Sequence, residues 1–155
     1  LRQLAERVDI IHLAMHGIPS PESPLLFALQ FAPKNEVDDG RFFVHDAFSF
    51  AVDSALVVLS ACESGLEAEY RAGISAGGEV VGLVRGFLFA GASAVVSTLW
   101  NVNDESSLTF MREFYTELQK THDAAVAVQY AQKALIAHPK YNHPYYWGPY
   151  IATGK

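Results

Sequence analysis

The sequence carries one cysteine in 155 residues, Cys62. An internal disulfide is therefore excluded, and the thiol usage predicts a reducing compartment, the cytoplasm. Positive charge is also scarce: 11 Lys and Arg stand against 17 Asp and Glu, giving a formal net charge of −6 and a pI near 5.4. Without a basic patch to neutralise phosphates, nucleic acid and anionic membrane surfaces are poor partners. No long apolar run is present. The longest uncharged stretch, residues 86–103, contains Gly91, Ser93, Ser97, Thr98 and Asn101 and changes period midway. It fits a helix end, a turn and a strand better than the roughly 20 lipid-facing residues of a membrane span. The chain opens on LRQLAER rather than on a basic region followed by an apolar one, so no signal peptide is read there. Metal-ligand spacing is absent, and AGGE at 76–79 falls far short of a phosphate-binding loop.

Half of the residues are hydrophobic, enough for the core of one domain. Their pattern alternates. Residues 8–14, VDIIHLA, and 56–60, LVVLS, are apolar without period-2 alternation, as strands buried on both faces are. A proline-rich loop is expected over 18–24, a short strand within LLFALQF (25–31), a turn at 33–40 and one helical segment over 44–50. A polar, glycine-bearing surface loop is expected over 67–78. Val80, Val84, Phe87 and Leu88 then recur at helical spacing, with Gly91 as the stop, and Ala94–Leu99 reads as a third strand. Two more helices follow. One begins near Glu105 with Leu108, Met111, Tyr115 and Leu118 on one face; the other begins near Asp123 with Ala124, Val128, Ala131 and Leu135. Apolar strands alternating with helices predict an α/β fold, a mostly parallel sheet covered by helices in three layers, with no internal domain boundary.

In such sheets the reacting groups collect at the carboxyl ends of the strands. The first two buried strands end at His16-Gly17 and at Cys62, which places an imidazole and a thiol on one rim. A thiol with an ordinary pKa of about 8.5 is a modest nucleophile, and a neighbouring imidazole can take its proton and later deliver it to a leaving amine. Cys62 follows His16 by 46 residues, close to the interval of about 50 between histidine and cysteine in caspases. His12 lies inside its strand, where packing or a carbonyl contact is expected, and His45, His122, His138 and His143 fall at helix edges or in the proline-flanked tail. Gly17 and the Cys62 amide are candidates for an oxyanion hole, because backbone N–H groups aimed at a developing alkoxide are usually the largest electrostatic aid. Two simpler readings stand beside these: Cys62 as a small buried hydrophobe, and Gly17 and Gly65 as turn residues.

The stretches HLAMHG (12–17), LVVLSACESG (56–65), LVRGFLFAGASAVVSTLWNVND (83–104), FYTEL (114–118), AVQYAQKAL (127–135) and YYWGPYIATG (145–154) together resemble the CHAT domain family, caspase-like cysteine peptidase domains related to separase and often joined to tetratricopeptide repeats in bacteria. The resemblance runs over nearly the whole chain. It implies a caspase-like fold, His16 and Cys62 as the catalytic dyad, Gly17 with the Cys62 amide as the oxyanion hole, no metal and no cofactor. It implies a protein or peptide substrate, with tetratricopeptide repeats in the parent chain. Family domains extend well upstream of the histidine strand, so residues 1–155 are expected to be the carboxyl-terminal part of a single CHAT domain. LWNVND is similar to the separase stretch in which an acidic residue holds a basic side chain. Asp104 thus becomes a candidate for a pocket selecting Arg or Lys before the cut. Asp104 also stands directly before a helix, where it would serve as a cap. Glu63, beside the nucleophile, has only a solvated role to offer. A cysteine endopeptidase and a non-catalytic interaction domain of the same fold are the two functions in view.

Overall fold

Leu56, Val57, Val58 and Leu59 are all buried, and alternate side chains enter two different cores, Val57 and Leu59 one and Leu56 and Val58 the other. That is the period-2 consequence of a strand covered on both faces. The computed structural model describes residues 8–18, 20, 23, 26–33, 35, 39–52, 55–60, 62–63 and 78–155. Among these, the strands are β1 (Ile10–Leu13), β2 (His16–Ile18), β3 (Ala28–Gln30), β4 (Arg41–Phe43), β5 (Leu56–Leu59), β6 (Cys62–Glu63), β7 (Ala94–Thr98) and β8 (Tyr150–Gly154). The helices are α1 (Val44–Phe48), α2 (Gly78–Phe89), α3 (Asp104–Thr121), α4 (Ala124–Ala137) and α5 (Pro144–Trp147).

The main sheet has the order β1-β5-β7-β8, with β1, β5 and β7 parallel and β8 antiparallel to β7. On one face Val57, Leu59 and Val95 meet Phe87 of α2, Val44 of α1 and Phe27 and Leu29 of the β3 region. On the other, Val58 and Val96 meet Phe110 and Phe114 of α3 and Val128 and Leu135 of α4. The three-layer α/β arrangement expected from the pattern is therefore present. Gly91 ends the turn after α2 at φ +103°, and a Cβ there would stand 2.6 Å from the Val52 carbonyl oxygen, so only glycine fits.

The structure corrects three local expectations. β1 is not buried on both faces: it lies at the edge of the described sheet, Ile11 and Leu13 point into the core, and Ile10 and His12 are exposed. The buried face of α3 is Ser106, Phe110, Phe114 and Leu118, whereas Leu108 is 74% exposed. Of the second sheet, of order β4-β3-β2-β6, the strand expected within LLFALQF is present as β3, whereas β2, β4 and β6 were not foreseen, because they are only two or three residues long and too short for a period to show. His16 thus belongs to a strand rather than to the loop after one. The expected surface loop over 67–78 lies outside the described residues except for Gly78, which opens α2.

Candidate active site

The two sheets are joined by one register. β1 and β5 pair in parallel from Ile10↔Leu56 to Leu13↔Leu59, and three residues further on β2 and β6 pair as His16↔Cys62 and Gly17↔Glu63. The Ser60 amide donates to the Leu13 carbonyl at 2.9 Å between the two ladders. The interval of 46 residues between His16 and Cys62 is thus the register offset of β1 and β5 themselves. Apolar side chains specify that offset strongly, since a slip of one residue would turn the core side chains of β1 and β5 to the wrong faces. As register partners, the two backbones lie about 4.8 Å apart, the ordinary spacing of neighbouring strands. The imidazole of His16 is exposed.

A cleft of about 250 Å3 opens beside this rung, lined by Ala14, Met15, His16, Ser60, Asp104 and Ser107. It brings together two residues 88 positions apart in the chain, His16 and Asp104. Asn103, not Asp104, caps α3: its side-chain oxygen accepts from the Glu105 and Ser106 amides at 3.0 and 3.2 Å. Asp104 is the first helical residue, and its carboxylate has no hydrogen-bond or ion-pair partner among the described residues. The neighbouring Glu105 is engaged elsewhere. It accepts from Lys140 Nζ and, at 3.1 Å, from the Tyr141 hydroxyl, and the Lys140 ammonium holds its carboxyl below the ordinary value. Of two adjacent carboxylates, Asp104 is the one left to the cleft.

Gly17 is buried, and a Cβ built on it would stand 2.3 Å from Cζ of Phe27. Its glycine is accounted for by that ring, whatever its amide does. The remaining histidines are committed locally. His45 stacks on Phe43; His122 and His138 end α3 and α4; His143 caps α5 by accepting from the Tyr145 amide. Of the two roles expected for His12, packing holds and the carbonyl contact does not: its ring lies tilted against Tyr115 of α3, centroids 5.7 Å apart, and its Nδ1 lies 2.8 Å from the Tyr115 hydroxyl. Burial pulls the His12 imidazole below its ordinary value and pushes the Tyr115 phenol up to about 12, so both stay neutral near pH 7.

The sequence reading missed Met15, Ser60 and Ser107 as cleft residues. The one signal for Ser107 was its position three residues after Asp104, which places both on one helix face once the helix start is known. A second cleft, of about 290 Å3, lies at the amino-terminal end of the sheet between Asp9, Leu56, Ser93, His122 and Lys155. It has no thiol. Among the described residues no helix is long and apolar enough to cross a membrane.

Comparison with known proteins agrees with this architecture. The chain is 31% identical over 109 residues to tetratricopeptide repeat protein 28 of Homo sapiens and 33% identical over 109 residues to that of Mus musculus. These matches take in 70% of this chain and 4% of each relative, so the chain spans a small fraction of their length. The profile of the CHAT domain matches residues 1–155, and the chain belongs to the CHAT domain family.

Proposed function

We propose that this chain is a cysteine endopeptidase domain, with Cys62 as nucleophile and His16 as general base and acid. It is the carboxyl-terminal part of a CHAT domain and a module of a larger cytoplasmic protein bearing tetratricopeptide repeats. The observation that carries the reading is the shared rung of His16 and Cys62, beside a cleft that holds His16 and the carboxylate of Asp104, which has no partner among the described residues.

In the reaction so read, His16 takes the thiol proton as sulfur attacks the scissile carbonyl carbon, and the carbonyl π electrons move to oxygen. The amides of Gly17 and Cys62 receive that oxyanion. As it collapses, the C–N bond breaks and His16 gives its proton to the departing amine, leaving a thioester on Cys62. Water then attacks the thioester carbon with His16 again accepting the proton, the C–S bond breaks as this second intermediate collapses, and His16 returns the proton to the Cys62 sulfur as the acid leaves. Asp104 binds an Arg or Lys side chain of the substrate, a cation matched to an acceptor-only group.

Because Cys62 is the single thiol, alkylation reads it without ambiguity. Iodoacetamide is expected to label the native protein faster than a model thiol, and His16→Ala to slow labelling by about tenfold or more. Labelling only after denaturation, with no cleavage of Arg- or Lys-bearing peptides, would instead assign the domain to protein interaction.

A further inference from the structure

We propose that Ser107 is a specificity-determining residue of the Asp104 cleft, favouring a guanidinium over an ammonium group in the side chain that enters it. The proposal rests on the reading of Asp104 as the residue that binds a basic side chain.

Ser107 lies one helical turn beyond Asp104 on α3, and both line the cleft. Its hydroxyl has one hydrogen and two lone pairs to distribute. The hydrogen goes to the Asn103 carbonyl at 2.9 Å, and one lone pair accepts from the Tyr150 hydroxyl at 3.1 Å. What remains is a single acceptor site. Tyr150 cannot drift away from this contact: it is 2% exposed and its ring stacks on Phe110 with centroids 3.5 Å apart. The hydroxyl of Ser107 is therefore held in place as an acceptor, with no donor to offer. Together with the acceptor-only carboxylate of Asp104, it makes this wall of the cleft complementary to a group that only donates.

Lys and Arg both meet that condition, but not equally. An ammonium is a compact, strongly hydrated point charge with three hydrogens, which it must divide between Asp104, Ser107 and water. A guanidinium spreads five N–H donors over a planar fork, so two can pair with Asp104 while another reaches Ser107. Removing the Ser107 acceptor should then penalise Arg more than Lys.

The test compares full-length parent protein with Ser107→Ala and Ser107→Thr in two measurements. In cleavage of matched peptides, Ser107→Ala is expected to lower the Arg-to-Lys ratio of kcat/KM by about five- to tenfold, the scale of one hydrogen bond's net contribution, mainly through KM, and Ser107→Thr to restore it. In the second, N-acetylarginine amide and N-acetyllysine amide are titrated by NMR into the Cys62→Ala protein with and without Ser107→Ala. Tighter binding of the arginine compound, lost with Ser107, supports the proposal even if no peptide is cleaved and the peptidase reading falls. Equal binding of the two compounds by the Cys62→Ala protein, or an Arg preference unmoved by Ser107→Ala, overturns it and leaves the dyad untouched.

Discussion

Asn103 and Asp104 are chemically near neighbours that the fold assigns to different work. Either could cap a helix, since both rank at the top of cap residues, and hydropathy does not distinguish them. The hydrogen bonds do: Asn103 holds the Glu105 and Ser106 amides, and Asp104 is left facing the cleft with His16. Asn103→Ala is accordingly expected to lower stability by about 0.5–2 kcal/mol, read by urea unfolding. Asp104→Asn should leave stability nearly unchanged while reducing kcat/KM on Arg- and Lys-bearing peptides by about tenfold or more, equivalent to about 1.4 kcal/mol per decade. A loss of stability in Asp104→Asn matching that of Asn103→Ala would return Asp104 to capping. The shared rung of His16 and Cys62 was readable beforehand, because one thiol and one rim histidine leave few choices. Ser107 was not, since a serine in the first turn of a helix looks like any other until the cleft is formed around it.

Helix α3 shows why an apolar stripe does not by itself say which way a helix faces. Leu108, Met111, Tyr115 and Leu118 form one row at spacings of three and four, and Ser106, Phe110, Phe114 and Leu118 form another that begins with a polar residue. The second row is the buried one. Two contacts select it: Tyr150 of β8 stacks on Phe110, and Ser106 is tolerated in the interior because its hydroxyl donates to the Asn103 carbonyl at 2.8 Å. The rows therefore make opposite predictions. Phe114→Ala is expected to cost about 3–5 kcal/mol, as emptying a packed aromatic site does, and Leu108→Gln to change stability by no more than about 0.5 kcal/mol. Chemical denaturation of the two variants measures both, and a large cost at Leu108 would contradict the placement. On helix α4 the expected row is the buried one. The expected face, Ala124, Val128, Ala131 and Leu135, is buried together with Ala127, while Val126, Tyr130 and Ile136 stay exposed.

Stability of the whole molecule should carry the signature of the hydrogen bond between β1 and α3, His12 with Tyr115. The His12 imidazole titrates below its ordinary 6.5 in the folded state, so as pH falls below that value the unfolded chain protonates first and stability declines through the folded pKa. The Tyr115 phenol, raised from 10.0 to about 12, contributes fully below pH 10.0 and loses its contribution as pH rises toward about 12, because the unfolded chain then ionises first. Urea unfolding across that range should show a plateau between the two limits, with the alkaline decline reduced in Tyr115→Phe and the acid decline reduced in His12→Phe. Superimposable pH curves for parent and both variants would remove the pair from the stability of the fold. At this level the division between pattern and packing is clear. The runs LVVL and AVVST, the cap at Asp123 and the stop at Gly91 are local signals, written in period, cap chemistry and backbone freedom, and each appears where the amino acids placed it. The 46-residue step from His16 to Cys62 already contained the register of β1 and β5. The edge position of β1, the short second sheet, the inward face of α3 and the meeting of Asp104 with His16 had no such local signal. Each depends on contacts between segments far apart in the chain, whose partners are chosen by shape and burial once the sheet and helices close on one another.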